Sequence, residues 1–268
     1  MFNLLRMDLR RLFRTRSFYI VLIAAMTLIL LVTLLAATMA NPEFLDGMES
    51  QGAEISEYDR QMSEAIHRMT QLEFVSECLE SGFLLVMTGI GMTLFVCGDF
   101  SSGYIKNICF SRPRRWEYVL SKVLTAGVYS GILTILSVLF SLVSPFPFGL
   151  HPAASPVGSI LQYAFWMWLP NWAFGLMGLL LVLLTRSSTP GILMAVVSGG
   201  GLTTVIVQTL RQQLGWPALE EYLLNVVVSR QCIPMLGMAQ MNMILGCAAW
   251  WAGIYLAGSL ITMEKRDI

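Results

Sequence analysis

Six long apolar runs, residues 18–39, 81–98, 118–143, 159–184, 190–210 and 238–263, leave this chain few ways to fold. Five of them contain no Asp, Glu, Lys, Arg or His, and the run 118–143 has only Lys122, near its start. Crossing the hydrocarbon core of a bilayer takes ~20 helical residues, and a helix satisfies its own backbone where lipid offers no partner. A soluble fold would be about a quarter charged. This chain of 268 residues is 13% charged, with a mean hydropathy of +0.66. The expected class is an all-α integral membrane protein: one domain, residues 1–268, with six transmembrane helices. The first run is longer than the about 7–15 apolar residues of a signal peptide, so it reads as a retained span.

The charges that remain are distributed unevenly. If the six spans alternate, thirteen of the seventeen Lys and Arg residues fall on one side: Arg6 to Arg16, Lys106 to Lys122, Arg186, Lys265 and Arg266. Basic loops stay cytoplasmic, which places both termini there. Segment 40–80 is then external. It carries ten acidic and two basic residues and no strong apolar period, so a partly helical, solvated segment is expected.

Residues 1–17 precede the first span. Phe2, Leu5, Leu9, Leu12 and Phe13 recur at helical spacing, while Arg6, Arg10 and Arg14 line another face. This pattern reads as an amphipathic elbow helix lying in the membrane plane, its arginines near anionic headgroups. It serves as a topology anchor or also touches a cytoplasmic partner.

Ser188-Thr189-Pro190 opens the fifth span with a hydroxyl N-cap and an early Pro. Inside that span Ser198-Gly199-Gly200-Gly201 removes side chains over one turn, which permits close packing or a local break; packing is the expected role. Segment 211–237 follows. Gly215-Trp216-Pro217 is a turn signal, after which Leu219, Leu223, Val226 and Val227 recur at helical spacing. An external helix that lies at or dips into the outer leaflet is expected.

Little in the chain points to bond-making chemistry. Ionisable groups inside spans mark proton relays and ion sites, and their scarcity argues against an ion-coupled carrier. There is no HExxH and no GxxxxGK[ST], so neither a zinc protease nor an ATP site is expected in this chain. The five cysteines form no CxxC, and no metal site or disulfide framework is expected; whether Cys78 pairs with Cys232 is open on spacing alone. Catalytic residues and nucleic-acid partners are likewise not expected. Asn171, Gln208, Gln240 and Asn242 are polar groups within or beside spans that line a path or hydrogen-bond between helices. Trp166, Trp168, Trp172, Trp250 and Trp251 fall mid-span, at a helix interface or against an apolar substrate.

Residues 99–117 concentrate charge on the cytoplasmic side. Gly103 offers a break or a close contact; Tyr104, Ile105, Ile108 and Cys109 then put apolar groups along one side of a short helix, and Ser111-Arg112-Pro113 stops it. A basic loop accounts for the arginines but not for this break–helix–break layout. The run Asp99-Phe100-Ser101-Ser102-Gly103-Tyr104-Ile105-Lys106-Asn107, then Ser111-Arg112-Pro113-Arg114-Arg115, Tyr118 and Ser121-Lys122, resembles the cytoplasmic loop of ABC-2-type transporter permeases. Asp99 stands where Glu is more usual, Tyr104 where Thr is, and Arg114 where Ser or Thr is common. The likeness extends over the chain through the elbow helix, the six spans and the helical segment before the last span.

The resemblance implies that Asp99, Gly103, Tyr104, Ile105, Lys106, Arg112, Pro113, Arg114 and Arg115 belong to a coupling loop. It would seat on a separate ATP-binding subunit, present in two copies, which binds the ATP and Mg. A second permease chain, identical or related, would complete the path in a bacterial cytoplasmic membrane. The implied function is an ATP-driven exporter of an amphipathic or apolar substrate, such as an antimicrobial peptide or drug. A membrane scaffold or sensor that docks a cytoplasmic protein, and a membrane enzyme acting on lipids, are the competing classes.

Overall fold

A computed structural model describes residues 2–50, 56–105, 115–215, 219–230 and 238–265. Helix is the only extended regular structure among these residues; the one β contact is an isolated bridge between Thr70 and Ala153. The chain runs α1 (Phe2–Leu12), α2 (Arg16–Ala40), α3 (Pro42–Ser50), α4 (Glu57–Arg68), α5 (Gln71–Leu79), α6 (Phe83–Ser101) and α7 (Trp116–Val143). It continues through α8 (Val157–Thr185), α9 (Thr189–Gly199), α10 (Leu202–Leu214), α11 (Leu224–Arg230) and α12 (Met238–Lys265). Five helices, α2, α6, α7, α8 and α12, are long and apolar enough to cross a membrane; the bent pair α9–α10 makes a sixth if counted as one span. The protein is thus an all-α, multi-pass membrane protein.

Helix α8 is the central element, packed by α6, α7, α9 and α12. Its interior face is rich in small residues, which lets neighbours approach closely. A Cβ on Gly178 of α8 would sit 2.7 Å from Thr93 Oγ1, and one on Gly191 of α9 would sit 2.5 Å from Thr93 Cγ2, so three helices converge on Thr93 of α6. By contrast α2 buries Val21, Ala25, Ile29 and Thr33, a single i,i+4 stripe. Its remaining apolar surface, Ile20, Ile23, Leu31 and Leu35 among it, stays exposed, as a lipid-facing helix requires.

Two differences from the sequence-based expectation concern chain punctuation. The run 190–210 is not one straight helix: α9 and α10 are bent by 63° at Gly200–Gly201. Gly201 has φ +84°, in the left-handed region, and a Cβ on Gly200 would meet Val196 O at 2.6 Å. Gly199 does pack closely, as expected, since its Cβ would lie 2.6 Å from Val86 Cγ2 and 3.1 Å from Val86 N. Gly199→Val is accordingly expected to destabilise the bundle by about 1–3 kcal/mol. The check is the thermal unfolding midpoint in detergent, and an unchanged midpoint would mean the α6–α9 contact is loose. Ser188 makes no side-chain cap bond at the start of α9.

The second difference lies in segment 40–80. Capping boxes at Ser56 and Thr70 start α4 and α5. Helix α5 is solvated on one side only: Leu72, Phe74, Val75, Cys78 and Leu79 are buried against α2 and the adjoining bundle, while Glu77 is exposed. Cys78 is a free thiol whose pKa burial pushes up to about 12. The thiolate fraction at pH 8 is then on the order of one in ten thousand. Maleimide labelling of Cys78 at pH 8 is expected only after unfolding in SDS, which mass spectrometry of the labelled peptide would report; rapid labelling of the folded protein would contradict its burial.

Candidate functional site

At the end of the bundle where α1, the end of α6 and the start of α7 meet, two acidic and two basic side chains are packed together. Asp8 and Arg11 come from α1, Asp99 from α6 and Lys122 from α7. Asp8, Asp99 and Lys122 are 0% exposed. An unpaired buried ion costs several kcal/mol, so such a group survives only with close partners. Here Lys122 Nζ lies 2.6 Å from Asp8 Oδ1 and 2.7 Å from Asp99 Oδ2, bridging both carboxylates. Arg11 Nη2 is 2.7 Å from Asp99 Oδ1, an ionic contact rather than an aligned hydrogen bond. Two acids and two bases leave the cluster neutral.

Neighbouring groups supply the remaining partners. Ser121 donates to Asp8 Oδ2 at 2.6 Å and Tyr118 donates to Asp99 Oδ2 at 2.8 Å. The Arg11 guanidinium carbon sits 3.9 Å from the Tyr104 ring centroid, and Lys122 Nζ sits 4.6 Å from that of Phe95. Burial is the largest single influence on Arg11 and opposes its charge, but the field and close contact of Asp99 together with Tyr104 outweigh it and raise the Arg11 pKa. Burial, reinforced by Asp8, raises the pKa of the Tyr104 phenol.

The cluster makes a joint between three segments. Helix α6 ends at Ser101, and Gly103, with φ +68°, turns the chain so that Tyr104 and Ile105 fold back under it. Ile105 is 2% exposed within the core cluster that contains Leu4, Leu12, Phe95 and Tyr118. Arg115 Nη1 donates to Met263 O at 3.2 Å, adding the end of α12. No family model matches the chain, and no curated protein matches it.

The residues expected to couple to a partner thus divide. Asp99, Gly103, Tyr104, Ile105 and Arg115 are brought to the joint. Lys106, Arg112, Pro113 and Arg114, and the short helix expected there, lie outside the described residues. On α1, Arg6, Arg10 and Arg14 are exposed, in keeping with the reading of an outer polar face. The face of α1 packed against the bundle is Leu4, Asp8 and Leu12, while Phe2 and Phe13 of the apolar stripe are 85% and 44% exposed. Asp8, Arg11 and Lys122 were not expected to form a site. Two signals in the sequence point to them. Asp8 is the sole acid among residues 1–17 and lies in register with Leu4 and Leu12, and Lys122 is the sole charge in any apolar run.

The four polar residues weighed as a path do not share one environment. Asn171 is buried in α8 and donates to Met167 O at 2.8 Å, whereas Gln208, Gln240 and Asn242 are on exposed surfaces. Two of the mid-span tryptophans prove to be helix-packing groups. Trp168 and Trp172 stack at 5.8 Å and donate to Gly127 O and Val123 O of α7. Gly127 and Gly131 make room, since Cβ atoms there would lie 3.3 Å from the indole nitrogens.

Proposed function

We propose that this chain is the membrane subunit of an ATP-driven exporter of the ABC-2 type. A separate ATP-binding subunit, in two copies, holds ATP and Mg, and a second permease chain forms the other wall of the path. The observation that carries the proposal is the ion cluster Asp8–Lys122–Asp99–Arg11. A loop that only sets topology has no need of buried charge. A loop that must pass force to the membrane has to be joined stiffly to the helices it moves. Asp99 and Tyr104 at the root of the loop are held to α1 and α7 by groups that cannot separate without stranding buried ions. Push on the loop and α6, α7 and α1 move as a unit. The thirteen-to-four bias of basic residues, counted over six alternating spans, supports a cytoplasmic position for this joint, where ATP is. The sparse charge within the spans suits an amphipathic or apolar substrate better than an ion.

The test is copurification of this chain from its native membrane, followed by reconstitution in liposomes with any ATP-binding subunit that copurifies with it. Stoichiometric assembly, and ATP hydrolysis that a transported amphipathic peptide stimulates, is the expected result. Assembly with a soluble protein but no ATP-dependent movement of solute would replace the exporter reading with that of a membrane scaffold.

A further inference from the structure

The break between α9 and α10 stands between two cavities of different chemistry. One is an open cavity of about 770 Å³, walled by Glu77 and Glu80 near the end of α5, by Gly200 and Leu202 at the break, and by Asn225 of α11. The other is narrower, about 320 Å³, and is lined by Phe174, Met177, Met194, Trp251 and Tyr255. Asn225 lines both. The first turn of α10 divides them, with Leu202 and Thr204 on the first cavity and Thr203 on the second. Asn225 is fixed at this divide, where its Nδ2 donates to Thr204 Oγ1 at 2.6 Å.

The two walls select for different parts of one ligand. Neither Glu77 nor Glu80 has a cation within ion-pair distance among the described residues. Glu77 and Glu80 are both exposed at the mouth of this open cavity; residual desolvation, and secondarily the charge on Glu80, holds the Glu77 carboxyl above its ordinary range, and a cation placed beside the pair relieves that repulsion. The second cavity offers aromatic and thioether surface. Trp251 stacks on Tyr255 with centroids 5.6 Å apart and is anchored by its bond to Tyr222 O at 2.8 Å. Such surface takes up hydrocarbon or aromatic groups and tolerates a nearby cation.

We propose that the paired cavities form one binding site for an amphipathic cation. The ammonium or guanidinium head sits against Glu77 and Glu80, and the apolar body passes Asn225 into the cavity of Phe174, Trp251 and Tyr255. As the substrate class of the exporter this rests on the transport reading; as a binding site it does not.

The experiment uses the full chain in nanodiscs, with empty nanodiscs subtracted. The probes are decyltrimethylammonium and decanesulfonate, which share a tail length and differ in head charge. Glu77→Gln/Glu80→Gln is expected to weaken binding of the cation by about tenfold and to leave the sulfonate unweakened. Glu43→Gln/Glu57→Gln, which removes two exposed acids elsewhere in the same segment, is expected to change neither. Met194→Gln is expected to weaken both probes. Cation binding unchanged in Glu77→Gln/Glu80→Gln, or weakened equally in the control pair, overturns the site. The expected binding pattern without ATP-driven transport would keep the site and remove the exporter; ATP-driven transport with binding insensitive to Glu77 and Glu80 would do the reverse.

Discussion

Lys122→Met is expected to lower the stability of the folded chain by about 3–5 kcal/mol, the cost of removing one partner from a buried ion pair. Lys122 lies between Asp8 and Asp99, within 2.7 Å of both, and all three are 0% exposed. Without it Asp8 keeps only the hydroxyls of Ser121 and, at 3.5 Å, Tyr104. Water cannot reach the stranded carboxylate without opening the packing of α1 on α7. Methionine fills much of the lysine volume, so the loss reports charge more than cavity. The decisive comparison is Asp8→Asn/Lys122→Met. This double variant removes one acid and one base and leaves the Asp99–Arg11 pair, so it should recover a large part of the loss, with an interaction energy of about 0.5–3 kcal/mol. Reversible SDS unfolding of the purified chain measures all three variants. A loss below about 1 kcal/mol in Lys122→Met, typical of an exposed pair, would mean that the cluster is solvated in the membrane-bound protein.

The second large effect is expected at Gly103. Proline there is incompatible with the observed backbone for three reasons. Its ring fixes φ near −65°, whereas Gly103 has φ +68°. It removes the N–H that donates to Phe100 O at 3.2 Å. It also disfavours the helical conformation of Ser102, which has ψ −3°. The native path of Tyr104 and Ile105 should be disfavoured by about 3 kcal/mol, or about a hundredfold in population. The spans themselves are untouched, so Gly103→Pro should insert and express like the parent. In the proposed complex with an ATP-binding subunit, the exporter reading expects ATP hydrolysis to persist while transport falls to background. Full transport by Gly103→Pro would remove the force-transmission role of this segment. Gly103→Ala is the graded control: a Cβ there meets nothing within 4 Å, so only the backbone strain of a left-handed residue remains.

The run 159–184 was readable as a span because every turn of it is apolar, and it folds as Val157–Thr185. At Gly103 the letters allow a break or a close contact; a φ of +68° with nothing within 4 Å of an added Cβ makes it a break. The triple glycine at 199–201 was readable only as a choice between packing and breaking. Gly199 does the first and Gly200–Gly201 the second, which depends on where Val86 lies. Helix α5 was misjudged because its acids, Glu73 and Glu77, dominate a segmental charge count, while Leu72, Val75 and Leu79 find a neighbour only in the folded bundle.

By itself the sequence determined that this is a multi-pass helical membrane protein, the approximate limits of its long apolar helices and a glycine at which the chain is free to turn after α6. These follow from hydrophobicity and backbone stereochemistry, which act over a few residues and leave a trace in the order of the letters. Only the tertiary structure decided that Asp8 and Lys122, 114 positions apart, neutralise one another. It alone decided too that Asn225 stands between an acidic cavity and an aromatic one. A charge pair or a cavity wall is a relation between distant residues, and its energy exists only once packing has excluded water from between them.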